Sequence, residues 1–117
     1  MIEELLKAQE KLNSVGISAE IVKINRIASD EFGTVMDSLR KTGRILVAEE
    51  VCAIGCVGRR ILAQASQSGV CLQAARVVNL RDGIVVHGSR AQLLKDYGLD
   101  SDSLFETAKK LVRQGWA

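Results

Sequence analysis

Residues 45–62 read ILVAEEVCAIGCVGRRIL. An apolar run ends in two carboxylates, Glu49 and Glu50, and passes through a glycine-bearing turn. The chain then resumes with Ile54, Val57, Ile61, Leu62 and Ala65 at helical spacing. A strand that runs through such a turn into a helix is how nucleotide sites are built, because free N–H groups at a helix start attract anions. Gly55-Cys56-Val57-Gly58, however, is G-x-x-G with no third glycine, and the turn lacks the Lys and Ser/Thr of a phosphate loop. The stretch therefore predicts one βα unit of a parallel sheet. Its strand, Arg44 to Ala48, is a short continuous apolar run of the kind covered on both faces.

On the amino-terminal side of this unit, Ile2, Leu5, Leu6 and Leu12 predict a first helix over residues 2–14, and Phe32, Val35, Met36 and Leu39 predict a second. Between them Ser18 to Ile24 alternates and is rich in Ile and Val, which predicts a strand. Val70 to Leu80 and Ile84 to Val86 read as further strands. Ser89-Arg90-Ala91-Gln92 is a capping box that opens a short helix ending at Tyr97. Asp100 or Ser103 caps a last helix with an inner face of Leu104, Ala108, Leu111 and Val112. Gly16-Ile17, Gly69-Val70 and Gly98-Leu99, with Gly43-Arg44-Ile45 as a looser copy, place glycine at helix ends with an apolar residue close behind. Strands alternating with helices predict an α/β fold, a three-layer α/β/α arrangement around an open, mostly parallel sheet.

The 117 residues fit one domain, 1–117, and 47% apolar with 26% charged residues is ordinary globular composition. A net charge of +2, unclustered basic residues and four aromatic side chains exclude the footprint of a nucleic-acid binder. No apolar run approaches the ~20 residues of a membrane span, and the start Met1-Ile2-Glu3-Glu4 lacks the features of a secretory leader, so no membrane partner and a cytoplasmic location are expected. Three cysteines without a scaffold pattern are expected to be reduced thiols.

His87-Gly88-Ser89-Arg90-Ala91-Gln92-Leu93-Leu94, followed by Tyr97-Gly98-Leu99-Asp100, resembles the transketolase C-terminal domain family, and within it the 1-deoxy-D-xylulose-5-phosphate synthases. Val47-Ala48-Glu49-Glu50 with Gly55 to Gly58 is similar to that family's V-x-E-E strand end and glycine-rich turn. Gly16-Ile17-Ser18, Asp30-Glu31 and Asn79 to Asp82 extend the resemblance over the chain. Three positions depart from it: Arg81 stands for the family's proline, Cys56 for the turn's second glycine, and the Lys-Pro before Asp30-Glu31 is absent.

The resemblance implies a parent enzyme of three domains that holds thiamine diphosphate and magnesium between the first two and, in this branch, condenses pyruvate with glyceraldehyde 3-phosphate. The third domain packs against the others and makes dimer contacts. This chain carries no G-D-G followed by Asn for the cofactor, so it is expected to bind none and to be inactive alone. Its expected partners are cofactor-bearing domains of the same enzyme or of a companion subunit, in a homo-oligomer. In the family a strand precedes the first helix, whereas Met1 begins at the helix, so the chain is expected to be a fragment or a frame read from an internal methionine. The strand near Ile21 is then expected to pair directly with the strand near Leu46.

No catalytic, cofactor-binding or metal residue is assigned. Glu49 and Glu50, adjacent on a strand, point to opposite faces and do not make an acid/base dyad. Cys52, Cys56, Cys71 and His87 do not match the spacing of zinc modules. The candidate interface or anion-contact residues are Glu49, Glu50, Gly55, Gly58, His87, Gly88 and Ser89, with His87 beside the helix start after Ser89. An alternative reading is a free-standing α/β module that binds a phosphorylated ligand or partner protein at the Gly55–Gly58 turn.

Overall fold

A computed structural model describes residues 1–27 and 32–113. Its elements are α1 (Ile2–Ser14), α2 (Gly33–Thr42), β1 (Arg44–Ala48), α3 (Val57–Gln67), β2 (Ala74–Val78), α4 (Arg90–Asp96) and α5 (Ser101–Arg113). Among the described residues the sheet has two strands, β1 and β2, parallel and in a register that sets Arg44 opposite Ala74 and Ala48 opposite Val78. Helices cover both faces. Phe32, Val35, Met36 and Leu39 of α2 and its entry interlock with Val57, Ile61 and Ala65 of α3, and Ile45 and Val47 of β1 pack on that cluster. On the opposite face α5 lies against both strands and α1 packs along α5. The buried residues of that helix pair are Ala8, Leu12, Leu104 and Leu111.

Helix ends follow the glycine pattern. After α3, Gly69 (φ 70) donates to Ser66 O at 3.3 Å while Val70 N–H reaches Ala65 O at 2.9 Å. Backbone bonds at the same offsets end α1 at Gly16-Ile17 and α4 at Gly98-Leu99. The start of α5 is different from the expectation. Its first N–H, that of Ser101, donates to Glu4 Oε2 of α1 at 2.7 Å, and Asp100 Oδ1 is buried without a partner. Arg44 Nε closes the other end by donating to Leu111 O at 3.1 Å. Of the expected inner face of α5, Val112 is 43% exposed, and on α1 the buried positions are Ala8 and Leu12 while Leu6 is 47% exposed.

Three of the expected strands differ in the structure. Ser18 to Ile24 forms no strand and does not pair with β1. Val22 and Ile24 instead pack on the α2–α3 cluster, Ala19 O accepts from Gln9 Nε2 at 2.7 Å, and Glu20 accepts from Ser38 and Lys41 of α2. Alternating Ile and Val fits a pleated surface but makes a strand only where a neighbouring edge is in reach. Here the segment is spread over a helix. Ile84 to Val86 likewise forms no strand and is exposed, and the Val70–Leu80 run contributes only Ala74–Val78. Every residue of β1 is half-buried, because helices lie above and below it while, among the described residues, one lateral edge lacks a strand. Ile54 lies in the turn before α3, 74% exposed. Asp30-Glu31, which in the resembling family opens this helix, lies outside the described residues; α2 begins at Gly33 without a side-chain cap.

Candidate functional site

The chain leaves β1 at Ala48, so Glu49 and Glu50 follow the expected strand rather than lie on it, and the two carboxylates turn apart. Glu49 turns toward the start of α3. Val57 N–H donates to its Oε1 and Gly58 N–H to its Oε2, each at 2.8 Å. The N-cap of α3, Cys56, makes no side-chain cap bond, so Glu49 does that work from eight positions upstream. A helix start has N–H groups without intrahelical acceptors and a partial positive charge, and a half-buried carboxylate answers both.

Gly58 makes this approach possible. A Cβ there would lie 2.6 Å from Val77 Cγ1 and 3.1 Å from Glu49 Oε2. Only a residue with no side chain lets the first turn of α3 sit against β2 and receive the carboxylate together. Gly55 has a different role, taking φ 74 in the turn. Glu49 and Gly58 thus form one assembled unit, with Gly55 shaping the turn that leads into it.

Glu50 faces the other way. Arg90, the first residue of α4, forks onto it with Nη2 to Oε1 at 2.6 Å and Nε to Oε2 at 3.2 Å, and the Met1 amino group is 3.5 Å from Oε1. The Arg90 hydrogen bonds hold the Glu50 carboxyl below the usual range, assisted by the positive charges of Arg90 and the amino terminus, while partial burial opposes them. Ser89 sits beside this pair in the expected capping box: Gln92 N–H donates to Ser89 Oγ and Ser89 N–H to Gln92 Oε1, each at 3.2 Å. A Cβ added at Gly88 would lie 3.5 Å from Gln92 Oε1 and 3.8 Å from Leu93, ordinary contact distances, and His87 is exposed.

Two groups of the candidate residues therefore converge at the carboxyl end of β1, Glu49 with the glycine turn and Glu50 with the α4 start. The donors an anion would use at α3 are already engaged by Glu49, and Gln92 N–H at α4 is engaged by Ser89. Cys56 is buried while Cys52 and Cys71 are exposed, and among the described residues no group of three or more His, Cys, Asp and Glu is placed to hold a metal ion. No helix among the described residues is long and apolar enough to cross a membrane.

Three participants were not singled out in the sequence. Arg90 lies inside the quoted motif, but its partner Glu50 is 40 positions away. Val77 gives no local sign that it walls off Gly58. Asp82 Oδ1 accepts the Ile54 N–H at 3.1 Å and ties the turn to the segment after β2, where Leu80 N–H donates to Val51 O at 2.9 Å.

The family model for the transketolase C-terminal domain matches residues 1–104. Among curated proteins the chain is 28% identical over 107 residues to 1-deoxy-D-xylulose-5-phosphate synthase of Bacillus cereus, covering 92% of the chain and 17% of that protein. It is 25% identical over 99 residues to the enzyme of the same name from Alteromonas mediterranea, covering 85% and 16%. The chain thus spans 16–17% of the length of these relatives. A solved structure described as a split gene transketolase, inactive beta4 tetramer, superposes with a TM-score of 0.76 at 26% identity, covering 97% of this chain and 37% of that one.

Proposed function

The chain belongs to the transketolase C-terminal domain family, and from that premise we propose that it is the C-terminal structural domain of a larger thiamine-diphosphate enzyme of the 1-deoxy-D-xylulose-5-phosphate synthase or transketolase type. In this reading residues 1–117 form one domain that packs against cofactor-bearing domains, in the same polypeptide or a companion subunit, within a cytoplasmic homo-oligomer. The parent reaction is the condensation of pyruvate with glyceraldehyde 3-phosphate. The carrying observation is the match over residues 1–104, and the geometry supports a structural role beside it. Glu49 and Gly58 are spent on fixing the end of β1 to the start of α3, Glu50 on holding Arg90 of α4, and Ser89 on capping α4.

Thiamine diphosphate is not assigned to this chain. Its diphosphate is held through a metal, and among the described residues no acidic or mixed cluster is placed to hold one; the glycine turn that could have faced phosphate is filled by Glu49. No reaction step is therefore given to its side chains. Interface contact by Glu50, His87, Gly88 and the α4 start is part of the proposal, since these residues gather on one exposed end of the fold.

The test is reconstitution. Cofactor-bearing domains of a 1-deoxy-D-xylulose-5-phosphate synthase or a transketolase encoded beside this chain are produced with and without it. Assembly is followed by light scattering and condensation by product formation. Co-elution with a rise in assembly or activity is expected. Domains that assemble and turn over equally well without the chain, with no co-elution, would refute the reading.

A further inference from the structure

Among the described residues β2 pairs with β1 alone, so its outer edge carries no strand. Val78 O accepts the Glu49 N–H at 3.0 Å, which turns Val78 toward β1; by the two-residue alternation Ala75 and Val77 present their N–H and C=O groups outward. Cations flank this edge on both faces. On the α3 side a groove of about 510 Å³ runs along it, lined by Leu62, Ala75 and Val77 with Arg59 and Arg81 at its margins. On the α5 side a hollow of about 240 Å³ is lined by Arg76, Thr107 and Lys110. Arg59, Arg76, Arg81 and Lys110 are all exposed, and none is within ion-pair distance of a carboxylate among the described residues. Asp82, the acid in the groove, is bonded to the Ile54 N–H.

We propose that this edge is a docking slot for an acidic, extended segment of a partner protein, which adds to the sheet as a strand beside β2. Strand addition satisfies the outward backbone groups in series, and pockets for alternate side chains set specificity. The alternation can be read from the walls. Side chains of the added strand on the α3 face meet Leu62 and Val77 and should be apolar; those on the α5 face meet Arg76 and Lys110 and should be acidic. A small anion would answer the cations and leave the strand edge bare, and a neutral strand would do the reverse. The competing explanation is protective, since charged side chains on an edge strand also deter unwanted pairing.

The full-length chain is titrated against a labelled short peptide alternating valine and glutamate, with binding read by fluorescence anisotropy. Saturable binding is expected, weakened about tenfold or more by Arg76→Glu combined with Lys110→Glu, and similarly by N-methylation of the peptide amides that face β2. The N-methylated peptide is tested on the unaltered chain, so the result does not depend on the variant folding. Absence of binding, or equal binding of a valine–lysine peptide, would overturn the proposal in favour of edge protection. Undiminished binding of the N-methylated peptide together with full displacement by tripolyphosphate would overturn it in favour of a small-anion site. Concentration-dependent self-association abolished by Arg76→Glu would overturn it in favour of a second copy of the chain.

Discussion

At position 58 an added Cβ would fall 2.6 Å from a Val77 methyl, so Gly58→Ala forces α3 away from β2 and loosens the grip of Glu49 on the helix start. Overpacking of this kind costs about 1–3 kcal/mol, and urea unfolding should show it. Val77→Ala in the same chain should recover part of the loss, because it removes the atoms the new methyl strikes. Glu49→Ala leaves the Val57 and Gly58 N–H groups without their acceptor and should cost about 1–3 kcal/mol by the same measurement. Glu49→Gln, which retains one acceptor oxygen, should cost less. Arg81 is a third case: it takes φ 60 and its N–H donates to Asn79 Oδ1 at 2.8 Å. Proline, the residue that the resembling family has here, can do neither. Arg81→Pro should therefore lower the unfolding midpoint, and a midpoint equal to that of the unaltered chain would show that this turn reshapes freely.

Elements are tied together here by remote carboxylates, Glu4 at the start of α5, Glu49 at α3 and Glu50 at Arg90 of α4. The Glu50 link has a definite pH signature. Its folded-state pKa lies below the ordinary 4.5, so its contribution is present above the unfolded value and is lost as pH falls through the folded one. Relative to an Arg90→Leu variant, the unaltered chain should be more stable at neutral pH, and the difference should shrink below about pH 4.5. The effect should be small and salt-sensitive, because both side chains are substantially exposed. A difference that grows on acidification would contradict the assignment. The helices were legible in the sequence because their signals are local: apolar spacing for α1 and α2, glycine ends, and the Ser89–Gln92 box. Ser18 to Ile24 reads as a strand yet forms none for the complementary reason, since a strand depends on a neighbour that no local pattern supplies. Glu49 and Glu50 diverge as alternation predicts, although both lie just past the end of β1. That Glu49 caps α3 and that Glu50 meets Arg90 does not follow from alternation, because those partners are set by how the chain folds back.

For the whole molecule, the family was legible from the His87 to Asp100 motif and the Glu49–Gly58 unit, and it is the family whose model matches residues 1–104. The proposal built on that match is that the chain braces a thiamine-diphosphate enzyme without itself holding the cofactor. A structural domain of this kind should still unfold cooperatively, since clusters on both sheet faces share the same two strands, and the chemical-denaturation profiles of the Glu49 and Gly58 variants should shift without broadening. The bracing role without cofactor is put to the sharpest trial by calorimetric titration of thiamine diphosphate with magnesium into the full-length chain. No saturable heat is expected at cofactor concentrations up to ~100 μM; a saturable isotherm below that level, more than ~5 kcal/mol of specific binding, would contradict it.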